Sequence, residues 1–355
     1  MNLKTLAKRD WLSRWAGSYT FISSSYWSRQ YYISLKNQLG INFNHTLFIH
    51  KRGTVAFYIP YDEFSKLGKY LAKKSEANIS YVKIHCKDIK RNADKLTNIM
   101  DKLNNSVPSL SDYKQFLKYF DKHLALHVYI KKTVDFLTPK SLTKLMPYFR
   151  DARLYTENIY SDSEKFFRSI ANAIAKQTNY NATYLTCLTQ DDLELYIKSK
   201  ILPEKNILKN RYNFSVIYSE NKQTKIITGQ KAKNIEKSIF KTIKGNKQRE
   251  LKGICAYQGE VKGTARIILD PHNFKLCNKG DILITGMTRP EFLPLVKKVA
   301  AIVTDVGGLL SHAAITAREF KIPTIVGTGT ATKTFKDGEK VIVDANSGII
   351  KLINN

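Results

Sequence analysis

The period of the apolar positions changes along the chain, and the change divides it into regions. Thr46-Leu47-Phe48-Ile49-His50, a Lys51-Arg52-Gly53 turn and Thr54-Val55-Ala56-Phe57-Tyr58-Ile59 predict a hairpin. Residues 61–74 place Phe64, Leu67, Tyr70 and Leu71 on one helical face. Between 88 and 200 the period stays helical, with breaks near Pro108 and Pro139, where the missing amide hydrogen stops a helix. Thr189 and Asp192 form a capping-box pair that opens a helix to about residue 200. A second hairpin is expected at 214–218 and 224–228 about Glu220-Asn221-Lys222-Gln223, and 230–249 reads as a Lys-rich helix followed by a linker.

After residue 251 the texture changes. Short β-rich runs at 261–269, 282–285, 301–304, 324–326, 341–343 and 349–352 alternate with glycine turns. Two short helices are expected, at 290–298 with proline in the first turn and at 311–321, stopped by Ile322-Pro323. The expected organisation is a small α+β unit at 1–87, a mainly helical connector at 88–250 and an α/β domain at 251–355.

Composition adds limits. With 355 residues, 43% hydrophobic and 25% charged, the chain is long enough for two or three cored domains. Met1 to Trp27 mixes Lys4, Lys8, Arg9, Asp10 and Arg14 with apolar residues, unlike a secretory signal, and the most apolar long stretch, 299–315, contains Asp305, two glycines and His312. A cytoplasmic protein with no membrane span is expected. Cys86, Cys187, Cys255 and Cys277 lie far apart and read as small hydrophobes.

The formal charge of +28 attracts phosphate-bearing partners in principle. The last 105 residues hold only 14 of the 58 Lys and Arg and 9 of the 30 Asp and Glu, so most of the excess lies upstream. No basic run there is long or one-sided, which favours compositional drift over a nucleic-acid surface. Tyr19, Phe21, Tyr26, Trp27, Tyr31 and Tyr32 are interleaved with Ile and Leu and read as packing rather than base stacking. His123 and His127 have the i, i+4 spacing of a metal pair but no carboxylate beside them, so no metal site is expected.

The chemistry concentrates in Thr304-Asp305-Val306-Gly307-Gly308-Leu309-Leu310-Ser311-His312-Ala313-Ala314-Ile315-Thr316-Ala317-Arg318-Glu319. A lone histidine follows a glycine pair at the start of an alanine-rich helix, where amide hydrogens and the helix dipole favour negative charge. Neutral imidazole is nucleophilic near pH 7 and forms a labile N–P bond. Gly307 and Gly308 let the backbone approach a phosphate, Ser311 can donate to it, and Thr288 and Arg289 are candidates for phosphate or partner contacts. Gly329-Thr330-Ala331-Thr332-Lys333-Thr334 has the wrong glycine-to-lysine spacing for a P-loop and reads as a turn.

Residues 255–352 resemble the mobile phosphohistidine domain of the phosphoenolpyruvate-utilising enzymes, among them phosphoenolpyruvate synthase, pyruvate phosphate dikinase and rifampin phosphotransferase. The blocks follow the family order: Gln258-Gly259-Glu260-Val261-Lys262-Gly263-Thr264-Ala265-Arg266, Gly280-Asp281 to Pro290-Glu291, Ala300 to Asp305 with Gly307-Gly308, Ser311-His312-Ala313-Ala314-Ile315, Ile322-Pro323-Thr324-Ile325-Val326-Gly327 and Asp337-Gly338. Weaker similarity to the preceding connector reaches back to about residue 140. The resemblance implies a swivelling β/β/α domain with His312 as phospho-acceptor, behind a mainly α-helical (α+β) region. It implies no tightly bound cofactor, ATP and Mg2+ on a separate ATP-grasp kinase subunit, and a small-molecule acceptor. The ATP-grasp and pyruvate-barrel domains of the full enzymes are not recognised in this chain. A non-catalytic binding or regulatory module on the same fold is the alternative; a basic nucleic-acid-binding protein is the weaker one.

Overall fold

A computed structural model describes residues 6, 9–243, 249–269 and 277–353, and most of the expected linker after the helix at 230–243 lies outside them. Contacts divide the chain into two units, Met1–Arg9 with Gly17–Ile239, and Asp10–Ala16 with Phe240–Asn355. The expected boundary after residue 87 is not a boundary. The first hairpin, His45–Lys51 and Thr54–Pro60, shares a sheet with the second, Ser215–Glu220 and Gln223–Thr228, because His45–Lys51 pairs antiparallel with Ser215–Glu220. Sequence distance hid a non-local pairing that joins the supposed N-terminal unit to the connector.

Helices pack against this sheet in the first unit. Phe21–Leu39, Tyr61–Ala77, Ile79–Lys102, Leu110–Thr133, Pro139–Tyr155 and Ile159–Gln177 are the longer ones before residue 180. Phe21, Tyr26, Trp27 and Tyr31 are buried, with Tyr31 stacked on Phe57 at 4.8 Å between ring centres, as the packing reading expects. The helix that carries them starts at Thr20, whose amide donates to the buried Glu164 carboxylate at 2.6 Å. The capping box is formed: Thr189 accepts from the Asp192 amide at 3.0 Å and Asp192 accepts from the Thr189 amide at 2.8 Å. Among the described residues no helix is long and apolar enough to cross a membrane.

The second unit is built on one eight-stranded sheet. Its order is Glu250–Lys252, Ile349–Leu352, Lys340–Asp344, Glu260–Ile267, Ile282–Thr285, Ala301–Thr304, Thr324–Val326 and Ile254–Tyr257. The four strands from Glu260–Ile267 to Thr324–Val326 run parallel, and the others pair antiparallel. The first and last strands of that order are separated in the chain by Gly253 alone, so the two edges of the sheet meet there. A side chain at Gly253 would sit 2.6 Å from Ile325 and 2.7 Å from the Val326 carbonyl, so only glycine permits the passage.

This curling produces two buried faces on one short strand. Ile282, Ile284, Ala301, Val303, Val341, Val343 and Ile350 fill one core, while Leu283 and Ile302 point the other way onto Phe292, Leu295 and Val296. That is the behaviour of parallel strands covered on both sides, and each fully buried Ile or Val contributes about 1.5–3 kcal/mol. The six expected strands are present, while Glu250–Lys252 and Ile254–Tyr257 are additional. The helix expected at 290–298 is a single 3-10 turn, Pro290–Phe292, followed by Leu293–Val296.

Candidate functional site

Three of the parallel strands end side by side, and the loop after each contributes to one place. Ile282–Thr285 leads into 286–289, Ala301–Thr304 into 305–311, and Thr324–Val326 into 327–330. Backbone bonds stitch the loops together: Val306 donates to Gly286 at 2.9 Å, Thr328 to Thr304 at 3.0 Å and Gly329 to Asp305 at 2.8 Å. The carboxyl ends of parallel strands are where open α/β sheets bind ligands.

Ser311 is the N-cap of the helix His312–Phe320, accepting from the Ala314 amide at 3.3 Å, which makes His312 its first residue. Ala313 and Ala314 pack on Ala256 and Val326, so small side chains bring the helix start close to the sheet. Gly307 has φ +136°, and a side chain there would meet Ser311 Oγ at 3.0 Å. The loop can hold this path beside the cap only with glycine.

The imidazole is held from the neighbouring loop. Thr288 Oγ1 lies 3.0 Å from His312 Nδ1, and Thr288 is buried while the ring keeps part of its surface in solvent. The contact holds the ring in one orientation, and the ring's tautomer sets which of the two atoms donates. Thr288, expected as a phosphate or partner contact, therefore touches the ring itself. Arg289 follows it as the cap of Pro290–Phe292, with its side chain exposed. Gly308 is buried, and its carbonyl accepts from the Ser311 amide at 2.9 Å.

Two further residues support the loop without having been singled out in the sequence. Arg318, in the last turn of the histidine's own helix, donates to the Leu309 carbonyl at 2.7 Å. Asp305 is buried, and burial pushes its carboxyl above the ordinary range. It accepts from the Thr332 amide at 3.0 Å and from the Thr332 hydroxyl, holding the start of the short helix Ala331–Thr334. The segment read as a plain turn thus contains one helical turn tied to the loop before His312. Among the described residues no group of three or more His, Cys, Asp or Glu is placed to hold a metal ion.

Residues 277–348 match the family described as PEP-utilising enzyme, mobile domain. That segment is therefore similar to the mobile domain of those enzymes. Curated relatives agree. The chain is 47% identical over 102 residues to the probable phosphoenolpyruvate synthase of Staphylothermus marinus, a match that covers 28% of this chain and 12% of that protein. It is 34% identical over 189 residues to the phosphoenolpyruvate synthase of Aeropyrum pernix, covering 53% of this chain and 21% of that one. It is 40% identical over 129 residues to the uncharacterized phosphotransferase YvkC of Bacillus subtilis, covering 36% and 16%. The chain thus spans about a fifth or less of the length of these relatives. The Aeropyrum match is longer than the second unit, so similarity continues upstream of the mobile domain.

Proposed function

We propose that the chain is a phosphoryl-transfer component in which His312 of the mobile domain carries the group as phosphohistidine. The observation that carries this reading is the 3.0 Å contact between Thr288 Oγ1 and His312 Nδ1 at the first residue of a capped helix. The contact orients the ring, and in this reading Nδ1 donates to Thr288 so that Nε2 is the nucleophile. The Nε2 lone pair attacks phosphorus, the bond from phosphorus to the leaving oxygen breaks, and its electron pair departs with that oxygen. The first-turn amides and the helix dipole stabilise the negative charge of the bound group. Ser311 has a hydroxyl proton left to donate to it, since its oxygen serves as the cap acceptor.

In this reading the donor is a separate ATP-grasp kinase subunit that binds ATP and Mg2+, and the acceptor is a small molecule. The domain swings between them as a swivelling unit in a cytoplasmic system. Incubation of the chain with a candidate ATP-grasp kinase and labelled ATP tests the reading. The expected product is an acid-labile, base-stable phosphate on the wild type and none on His312→Ala. Label that survives the substitution, or that withstands acid, sinks it.

A further inference from the structure

The helical unit has an open recess of its own. It lies where the short helix Ala182–Leu185 meets the helix Lys205–Asn213, and its volume is about 560 Å3. Pockets that hold small ligands measure about 300–1,000 Å3. Tyr180, Tyr184, Asn181, Lys205, Asn206 and Lys209 line it, and no carboxylate is part of the lining. The walls are held in place. Tyr180 donates its hydroxyl proton to the Pro203 carbonyl at 3.1 Å, and Tyr212 packs edge-on against Tyr184 with ring centres 5.6 Å apart. Leu185 and Leu208 anchor the two helices in the core.

The lining offers three kinds of contact. Lys205 and Lys209 stand one turn apart on the same side of their helix and present ammonium donors. Lys205 Nζ lies 5.2 Å from the centre of the Tyr180 ring, so that ring holds the ammonium at this wall. Tyr184 is half-buried and brings aromatic surface to the recess without a lysine over its ring. Asn181 Oδ1 accepts from the Thr183 amide at 2.8 Å, which leaves the NH2 group of Asn181 as a donor. Asn206, exposed, brings one donor and one acceptor group. Inorganic phosphate would engage the lysines alone, and an uncharged ring only the tyrosine and the amides. A molecule that joins phosphate and ring engages the whole lining. The two lysines oppose a metal cation.

We propose that this recess binds a small planar molecule that carries a phosphate, of the nucleoside monophosphate class. The phosphate oxygens accept from Lys205 and Lys209. The ring stacks on Tyr184, and the amides of Asn181 and Asn206 pair with its edge. The site lies within the helical unit and does not rest on the role of His312.

Titration calorimetry of the full chain with adenosine monophosphate tests it. One saturable site per chain is expected, unchanged in His312→Ala. Ribose 5-phosphate and adenosine, each lacking one half of the molecule, should bind about tenfold more weakly or worse. Lys205→Met with Lys209→Met, both exposed, should weaken the nucleotide about tenfold or more and leave adenosine unaffected. Tyr184→Leu should weaken it about fivefold or more and leave ribose 5-phosphate unaffected. Lys66→Met with Lys69→Met, which removes the same charge from exposed positions on Tyr61–Ala77, should change nothing. No binding at millimolar nucleotide overturns the proposal. So does binding of ribose 5-phosphate or adenosine as tight as that of the nucleotide, or an equal loss in the Lys66 and Lys69 pair. Tighter binding of an oligoadenylate at the same nucleotide concentration assigns the surface to nucleic acid and overturns it as well. If Tyr184→Leu does not fold, the nucleotide and ribose 5-phosphate compared on the wild type decide the part played by the ring.

Discussion

His312 and His123 are both helical histidines beside apolar cores, yet their settings are opposite. His312 is the first residue of its helix, keeps part of its ring in solvent and has one nitrogen fixed by Thr288. His123 is in mid-helix, fully buried, and lacks a partner at either nitrogen. Burial drives its pKa down to about 3, with Arg153 adding to the shift. The difference teaches that a histidine at an open edge can be oriented by a neighbouring loop and remain accessible, whereas a buried one is held neutral by its surroundings. Residue type is shared; the position on the helix and the neighbouring loop decide the chemistry.

The largest contrast between the two should appear under chemical phosphorylation. Treatment with phosphoramidate, which requires no kinase, should phosphorylate the peptide containing residue 312 in the wild type and in His123→Phe, and leave that peptide unmodified in His312→Ala. Mass spectrometry of the peptide containing residue 312 reads this directly, and modification of His123 at a comparable rate would break the comparison. Next in size is Gly307→Ala. The residue has φ +136° and its new methyl would press on the capping serine, so a loss of about 1–3 kcal/mol is expected. Urea unfolding of the full chain measures it, and an unchanged midpoint would show that the loop relaxes freely.

How much of this could be read from the chain differs between the two units for a physical reason. The strands around His312 were legible because glycines punctuate them and each run is short and mostly apolar, while Ser311, read as the first residue of its helix, is its cap. The closure of the sheet was not, since Glu250–Lys252 and Ile254–Tyr257 are too short to show a period. Thr288 lies 24 residues from His312, and they meet only because two parallel strands end in register. In the helical unit the helix Phe21–Leu39 escaped notice because every residue from Phe21 to Ser28 is buried, which erases the polar face that periodicity relies on. The sheet formed by both hairpins joins residues 45–51 to 215–220, a pairing that local pattern does not encode. His123 and His127 had a metal-like spacing, but among the described residues no third ligand is placed beside them.

A smaller effect is expected at the contact between Thr288 and the His312 ring. Thr288→Val keeps the shape and removes one hydrogen bond, worth about 1.4 kcal/mol, so phosphorylation of His312 should slow about tenfold. Phosphorus NMR of the phosphoramidate-treated protein should show the Nε2 adduct alone in the wild type and a mixture with the Nδ1 adduct in the variant. A single unchanged adduct at an unchanged rate would remove Thr288 from the site.

The smallest effect, and the sharpest test of the contrast, is the pH profile of His123→Phe. At pH 7.5 the two proteins should be equal in stability within about 1 kcal/mol, because replacing an unpartnered polar ring by an apolar one of similar shape is nearly neutral. Folded His123 takes up a proton only near pH 3, against an ordinary value of 6.5 in the unfolded chain. Its contribution is therefore fully present above pH 6.5 and is lost as pH falls toward 3, at about 1.4 kcal/mol per pH unit. The phenylalanine cannot be protonated, so the variant should overtake the wild type by about 1.4 kcal/mol near pH 5.5. Urea unfolding at the two pH values checks this. Parallel profiles would mean that His123 accepts its proton in the folded protein as readily as in the unfolded chain, and its enclosure would not set its chemistry.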